Sequence, residues 1–333
     1  MSRRNEVVVI TGASAGIGRA TVQRFARAGA RIGLLARGRD RLDATRREVE
    51  QTGGTALAIP TDVADAAQVD SAAEQIEKVL GPIDIWINSA MVSVFARVDD
   101  ITPAEFLRVT QVTYLGQVYG TLAALRRMRP RNRGTIVLVG SALAYRGIPL
   151  QAAYCAAKHA VQGFADSLRT ELLHDGSAIC LTMLQLAAFN TPQFEWVRAK
   201  LPRKPRPMGA PYQPEVAADA IYWAAHHHRR ELYVGFPALK AIVGNKLAPG
   251  YGDRVLAQNG FAGQQRNEPM PPHRPDNLYE PAPGDYSAHG AFDEEARSSS
   301  PQFWVTTHRG RIAGAAALGG LLAAAVLRHR RAA

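Results

Sequence analysis

Cysteine is scarce in this chain. Only Cys155 and Cys180 occur among 333 residues, too few for a disulfide framework or a thiolate zinc site. That points to a reducing, cytoplasmic compartment. A secretory leader is not expected either, because MSRRNE runs directly into only four apolar residues, Val7 to Ile10. No internal repeat of useful period is visible, which excludes solenoid and propeller architectures. Acidic residues are outnumbered, giving a formal net charge of +11 and a pI near 10.0. The basic residues are nevertheless scattered over several segments and do not form one stripe interleaved with aromatics, so no nucleic-acid partner is expected. His226, His227 and His228 resemble a metal clip, but consecutive helical side chains point about 100° apart and cannot converge on one ion.

What is present is alternation. Strand-like runs at Val7–Ile10, Arg31–Ala36, Ala56–Pro60, Ile83–Ile87, Thr135–Val139, Ala178–Leu184 and Leu232–Val234 are separated by helical patterns. The helices are read to about Ala28, to Gln51, over 66–80, 103–128, to His174, and over 215–227. Alternation of this kind predicts an α/β fold, a Rossmann-like doubly wound parallel sheet of about seven strands in one domain, with a C-terminal extension. Hydrophobic residues make up 47% of the chain, enough for such a core.

The first strand feeds TGASAGIG, with Gly12, Gly16 and Gly18 ahead of a helix. Glycines there let backbone approach a pyrophosphate, and the helix presents free N–H groups to the anion. About twenty residues further on, where an acid would bond the ribose 2′-hydroxyl of NAD, the chain has Ala36 and Arg37. A guanidinium accommodates a 2′-phosphate, so NADP(H) is expected in preference to NAD(H).

A second constellation follows the fifth strand: Ser141, then Tyr154 and Lys158 one helical turn apart and on one helix face. A neighbouring ammonium favours an ionised phenol and lowers its pKa. With a serine hydroxyl to hold a carbonyl oxygen, this is equipment for moving a proton at oxygen while a hydride moves at carbon.

Together these residues resemble the short-chain dehydrogenase/reductase family over about residues 5–240. The glycine pattern matches Thr11–Gly18, Y-x-x-x-K matches Tyr154 and Lys158, and Ser141 stands at the usual spacing upstream. The resemblance implies an NAD(P)-dependent oxidoreductase that interconverts a carbonyl compound and its alcohol. Tyr154 would be the general acid or base, Lys158 would lower its pKa and bond the nicotinamide ribose, and Ser141 would orient the carbonyl. Ser14, Gly16, Ile17 and Gly18 would line the pyrophosphate and ribose. Asp62 and Val63 would meet the adenine, Asn88 the adenine-side ribose, and Thr191 the nicotinamide amide. Members commonly pair through two long helices, which implies a homo-oligomer.

Three departures stand out. The chain reads NSAM where many members read N-N-A-G, placing Met91 near the cleft. Thr113 stands where an asparagine commonly anchors a proton-relay water, and it is the fourth candidate for the catalytic set. Leu186-Ala187 replaces a Pro-Gly after the sixth strand. These keep two rivals open: a non-catalytic NADP(H)-binding or redox-sensing protein, and an epimerase or dehydratase on the same fold. Met91, Phe95, Tyr145, Leu186 and Phe194 suggest an apolar pocket and a small, lipophilic carbonyl or alcohol substrate.

The expected organisation is a catalytic domain over 1–250, a proline-rich polar tether over 251–303 read as flexible, and an apolar helix over 304–333. Ile312 to Leu327 is sixteen residues without charge, flanked by arginines. As a helix it is about 24 Å long, against a hydrocarbon core of roughly 30 Å. It is a candidate membrane anchor, or else a helix packed on the enzyme body or a partner.

Overall fold

The computed structural model describes residues 5–310, 312 and 314. Seven strands form one sheet with the spatial order Glu231–Val234, Ile179–Leu186, Gly134–Val139, Ile85–Asn88, Val7–Thr11, Arg31–Ala36, Thr55–Pro60. Every pairing in it is parallel. All seven coincide with the strand-like runs of the sequence to within about two residues.

The β-branched runs are buried on both sides, as a parallel sheet requires. Val7 and Val9 face an apolar layer that includes Ile76, Val109 and Val161, from the helices Ala66–Leu80, Pro103–Val109 and Ala152–His174. Val8 and Ile10 face the opposite layer, built on Val22, Leu42 and Ile221 from the helices Gly16–Ala26, Arg39–Gln51 and Pro214–His226. The chain passes from the first strand outward to the third, then returns to the other side of the first. That reversal opens a crevice between the carboxyl ends of Val7–Thr11 and Ile85–Asn88, where ligands bind in such sheets.

The helical stretch expected over 103–128 is interrupted. Thr110–Leu115 is a π-helical segment between Pro103–Val109 and Gly116–Met128, and such interruptions are common at functional sites. Two helices beyond the last strand, Phe236–Leu247 and Pro249–Asn259, have no strong signal in the sequence. The basic cluster at 126–133 is largely spoken for: Arg127 pairs with Asp70, Arg133 with Asp84, and Arg131 donates to the Ile83 carbonyl.

The stretch read as a loose tether is instead laid on the body. Gln265–Pro269 pairs antiparallel with Arg203–Pro205. Further on, Leu278, Ala282, Ala288 and Phe292 are each at most 3% exposed. Leu278 joins the same apolar layer as Val63 and Val112, and Phe292 packs edge-on against Phe194. Single apolar residues spaced along a polar segment carry no periodicity, so their burial was invisible before the fold was known. The candidate anchor over 312–327 lies, apart from Ile312 and Gly314, outside the described residues. Among the described residues no helix is long and apolar enough to cross a membrane.

Candidate active site

The glycine loop is held to the opposite wall of the crevice. Thr11 Oγ1 accepts hydrogen bonds from the Ser89 and Ala90 N–H groups at 3.0 and 3.1 Å. Gly12 has φ +70°, and a Cβ there would stand 2.9 Å from Ala90 Cα. A Cβ on Gly18 would stand 2.0 Å from the Gly12 carbonyl oxygen. Only hydrogen fits at either position, so the loop folds into a shallow cradle of backbone. That cradle, opening onto the first turn of the helix Gly16–Ala26, suits a pyrophosphate in charge and shape.

One cavity of about 870 Å³ runs from this loop across the carboxyl ends of the strands. Gly12, Ser14, Gly16, Ile17 and Gly18 line it, as do Arg37, Asp62, Val63, Ser141, Tyr154, Lys158 and Thr191. Residues from six separate segments of sequence therefore share one space. Asn88 and Thr113 do not line it. Asn88 is fully buried; its Oδ1 accepts from Trp86 Nε1 and its Nδ2 donates to Thr121. Gly120 packs so tightly on Asn88 that a Cβ would collide with Oδ1. Its neighbours Ser89 and Ala90 reach the cleft in its place. Thr113 is also fully buried. Its hydroxyl donates to the Val92 carbonyl at 2.7 Å and accepts from the Val92 N–H at 3.0 Å. The π-helical segment thus fixes the chain beside Met91, a structural duty in place of the expected relay.

At the end of the cleft that carries Tyr154 and Lys158, Ser141 caps the short helical turn Ala142–Ala144, with Oγ accepting from the Leu143 N–H. Its backbone N–H donates to Gln185 Oε1 at 3.1 Å, and Gln185 Nε2 donates in turn to Gln162 and Glu231. The Ser141 hydroxyl lies near enough to the Tyr154 phenol to favour its ionised form. Lys158 is 2% exposed, and its Nζ donates to the Val139 carbonyl at 2.7 Å. The same Nζ stands 5.4 Å from the centre of the Tyr154 ring.

The electrostatics differ from the expectation. Burial pushes the Tyr154 phenol above its ordinary range, and the nearby Ser141 hydroxyl opposes this only in part. Burial pushes Lys158 down to about 7. Each charge alone is costly in this pocket, and desolvation outweighs their mutual help. A phenolate and an ammonium formed together would stabilise one another, so proton loss from Tyr154 is coupled to the charge on Lys158.

At the far end, Arg37 is half-buried and its guanidinium is turned onto the carboxy-terminal segment. Nη1 donates to the Leu278 and Tyr279 carbonyls and Nη2 to the Asn277 carbonyl. Burial, followed by the charge of Arg108, pushes Arg37 below its usual value. Asp62 accepts from the Ala64 N–H and from Arg108 at 2.7 Å. The apolar lining of the cavity includes Met91, Leu143, Ile148, Leu186, Phe194, Met208 and Leu256. Phe95 and Tyr145, expected in this pocket, are placed elsewhere. Phe95 is buried against Phe194 and Leu150, and the Tyr145 hydroxyl donates to Glu231. Ala238, Ala241, Leu247 and Val255, from the helices Phe236–Leu247 and Pro249–Asn259, line the cavity as well. The three consecutive histidines have separate partners: Glu6 for His226, stacking on Trp223 for His227, and Cys180 for His228.

A doubly wound parallel sheet with a glycine cradle, and a serine, a tyrosine and a lysine meeting in one cleft, define a nucleotide-dependent oxidoreductase. Residues 6–201 match the family model described as short chain dehydrogenase. An uncharacterized oxidoreductase of Bacillus subtilis, YxnA, is 30% identical over 330 residues, spanning 98% of this chain and 92% of that one. The 3-ketodihydrosphingosine reductase of Bos taurus is 34% identical over 170 residues, about half of either chain (50% and 51%). Among solved structures, an alcohol dehydrogenase from the archaeon Thermococcus sibiricus, complexed with 5-hydroxy-NADP, superposes with a TM-score of 0.59. It is 25% identical and covers 69% of this chain and 95% of that one. The chain belongs to the short-chain dehydrogenase family and is an NAD(P)-dependent oxidoreductase of that family.

Proposed function

We propose that the protein is an NADP(H)-dependent reductase of apolar ketones or aldehydes, working in reverse as an alcohol dehydrogenase. The observation that carries this reading is the two-ended cleft, with Ser141, Tyr154 and Lys158 at one end and Arg37 at the other. The glycine cradle fits a dinucleotide, and Arg37 directly follows the second strand, where a 2′-phosphate would be met, with Arg41 lining the same cavity. NADPH, when bound, supplies a hydride to the carbonyl carbon.

The chain does the rest. Ser141, held from behind by Gln185, positions the substrate oxygen beside the phenol. Tyr154 gives its proton to that oxygen, worth about 10²–10⁴ in rate for a well-placed acid. Lys158 carries the compensating positive charge as the phenol gives up its proton. The apolar lining selects a lipophilic carbonyl compound, in keeping with a relative whose name specifies reduction of a ketone, 3-ketodihydrosphingosine.

A panel of ketones and aldehydes of graded apolar length, followed by loss of nicotinamide absorbance with NADPH and with NADH, tests the proposal. Faster net consumption of NADPH, rising with apolar length, is expected. Consumption of neither cofactor with any carbonyl would defeat the reductase reading in favour of a binding or sensing role, or of an epimerase or dehydratase that recycles its nicotinamide.

A further inference from the structure

The segment Asp276–Gly290 lies well beyond the family match, which ends at residue 201. It is nevertheless tied to the dinucleotide end of the cleft at several independent points. The carbonyls of Asn277, Leu278 and Tyr279 all accept from Arg37. The Leu278 carbonyl also accepts from Arg108 Nε at 3.1 Å, while the other branch of Arg108 holds Asp62. Nearer the glycine loop, the Ser287 carbonyl accepts from the Gly16 N–H at 3.2 Å. Asp285 pairs there with Arg19, a residue that is itself only 3% exposed. The segment is seated by Leu278, which is fully buried, and shaped by Asp276, whose Oδ1 accepts from the Leu278 N–H and whose Oδ2 accepts from Arg198.

Two features decide between a wall and a plug. Asn277 and Pro281 line the same open cavity as Arg37, Gly38 and Asp62, so room remains in the cleft with the segment in place. The three carbonyls also occupy only part of the guanidinium, which has five N–H donors. An anion can therefore share Arg37 with the segment. We propose that Asp276–Gly290 is a clamp of the cofactor cleft, which closes its adenosine half and fixes Arg37 to receive a 2′-phosphate. The clamp rests on the NADP(H) reading for its preference between cofactors. The closure itself does not. Pre-orienting a long, flexible side chain removes part of the ordering cost of binding.

The test uses the full chain with Leu278→Ala, and separately with the milder Asp276→Ala, which leaves the buried leucine in place. Affinity for NADPH and NADH is measured by fluorescence titration, folding by thermal melts, and hydrogen exchange of residues 276–290 is followed in the wild type with and without cofactor. The clamp predicts that NADPH binding weakens by about tenfold in each variant that still melts cooperatively, and NADH binding by less. It also predicts that exchange over 276–290 slows when cofactor is bound. Unchanged or tighter NADPH binding, equal losses for the two cofactors, or faster exchange on binding would overturn it. Tighter binding would mark the segment as a plug. Should neither variant fold, the exchange measurement on the wild type decides alone. A wild type that binds NADH better than NADPH would defeat the cofactor assignment separately, and closure would then be read from exchange with NADH.

Discussion

Lys158 sits in a pocket that penalises its own charge. Its pKa of about 7 in the folded chain lies below the ordinary 10.5, so across that window the unfolded chain binds a proton that the folded one does not. Stability must then rise with pH from about 7 upward, and the penalty is fully present below that. Lys158→Met should therefore gain most over the wild type near pH 6, by up to a few kcal/mol, with the gap narrowing toward pH 9.5. Thermal melts across that range check it; a gap independent of pH would show that the amine is not buried as described. At the other end of the cleft, Arg37→Asp should reverse the preference between NADPH and NADH in binding titrations, by removing the guanidinium and placing an acid beside the ribose. Both residues line the cleft, but the balance at Tyr154 is the inverse of the one its spacing suggests. Proximity of a phenol and an amine can be read from spacing; the desolvation that overrides it depends on what the fold buries. Asn88 shows the same limit. Its type and position after a strand are legible, whereas the Trp86 and Thr121 side chains that consume its amide belong to three-dimensional packing.

Strands and helices were the legible level. β-branched runs buried on both faces and glycine-rich breaks produce the alternation of a doubly wound sheet, and all seven strands follow it. Less legible were the helices Phe236–Leu247 and Pro249–Asn259, whose glycines and prolines weaken the helical signal. Both contribute to the cavity, so sequence reasoning underestimated the apolar pocket. The glycine loop is the element with the least tolerance. Gly18→Ala would place a methyl group 2.0 Å from the Gly12 carbonyl oxygen, which the loop can relieve only by moving off the wall at Ala90. Loss of detectable dinucleotide binding is expected, with the melting temperature lowered by several degrees, roughly 1–3 kcal/mol of overpacking. Calorimetric titration and melts measure the two effects; binding that survives intact would mean that the loop does not form the cradle.

The chain as an assembled body departs most from its sequence in the carboxy-terminal third. A polar, proline-rich composition argues for a solvated linker, yet Leu278 and Phe292 dock into two separate apolar clusters. Backbone carbonyls, which every residue possesses, make the contacts to Arg37, so no side-chain pattern could announce them. The cleft is therefore assembled from the common fold and an added segment. The proposed function turns on one proton. Single-turnover mixing of enzyme, NADPH and a reducible apolar ketone, monitored by nicotinamide absorbance, measures that step most directly. Tyr154→Phe should bind NADPH as the wild type does but transfer hydride at least about a hundredfold more slowly. An equal rate for the phenylalanine variant would contradict the account at its centre.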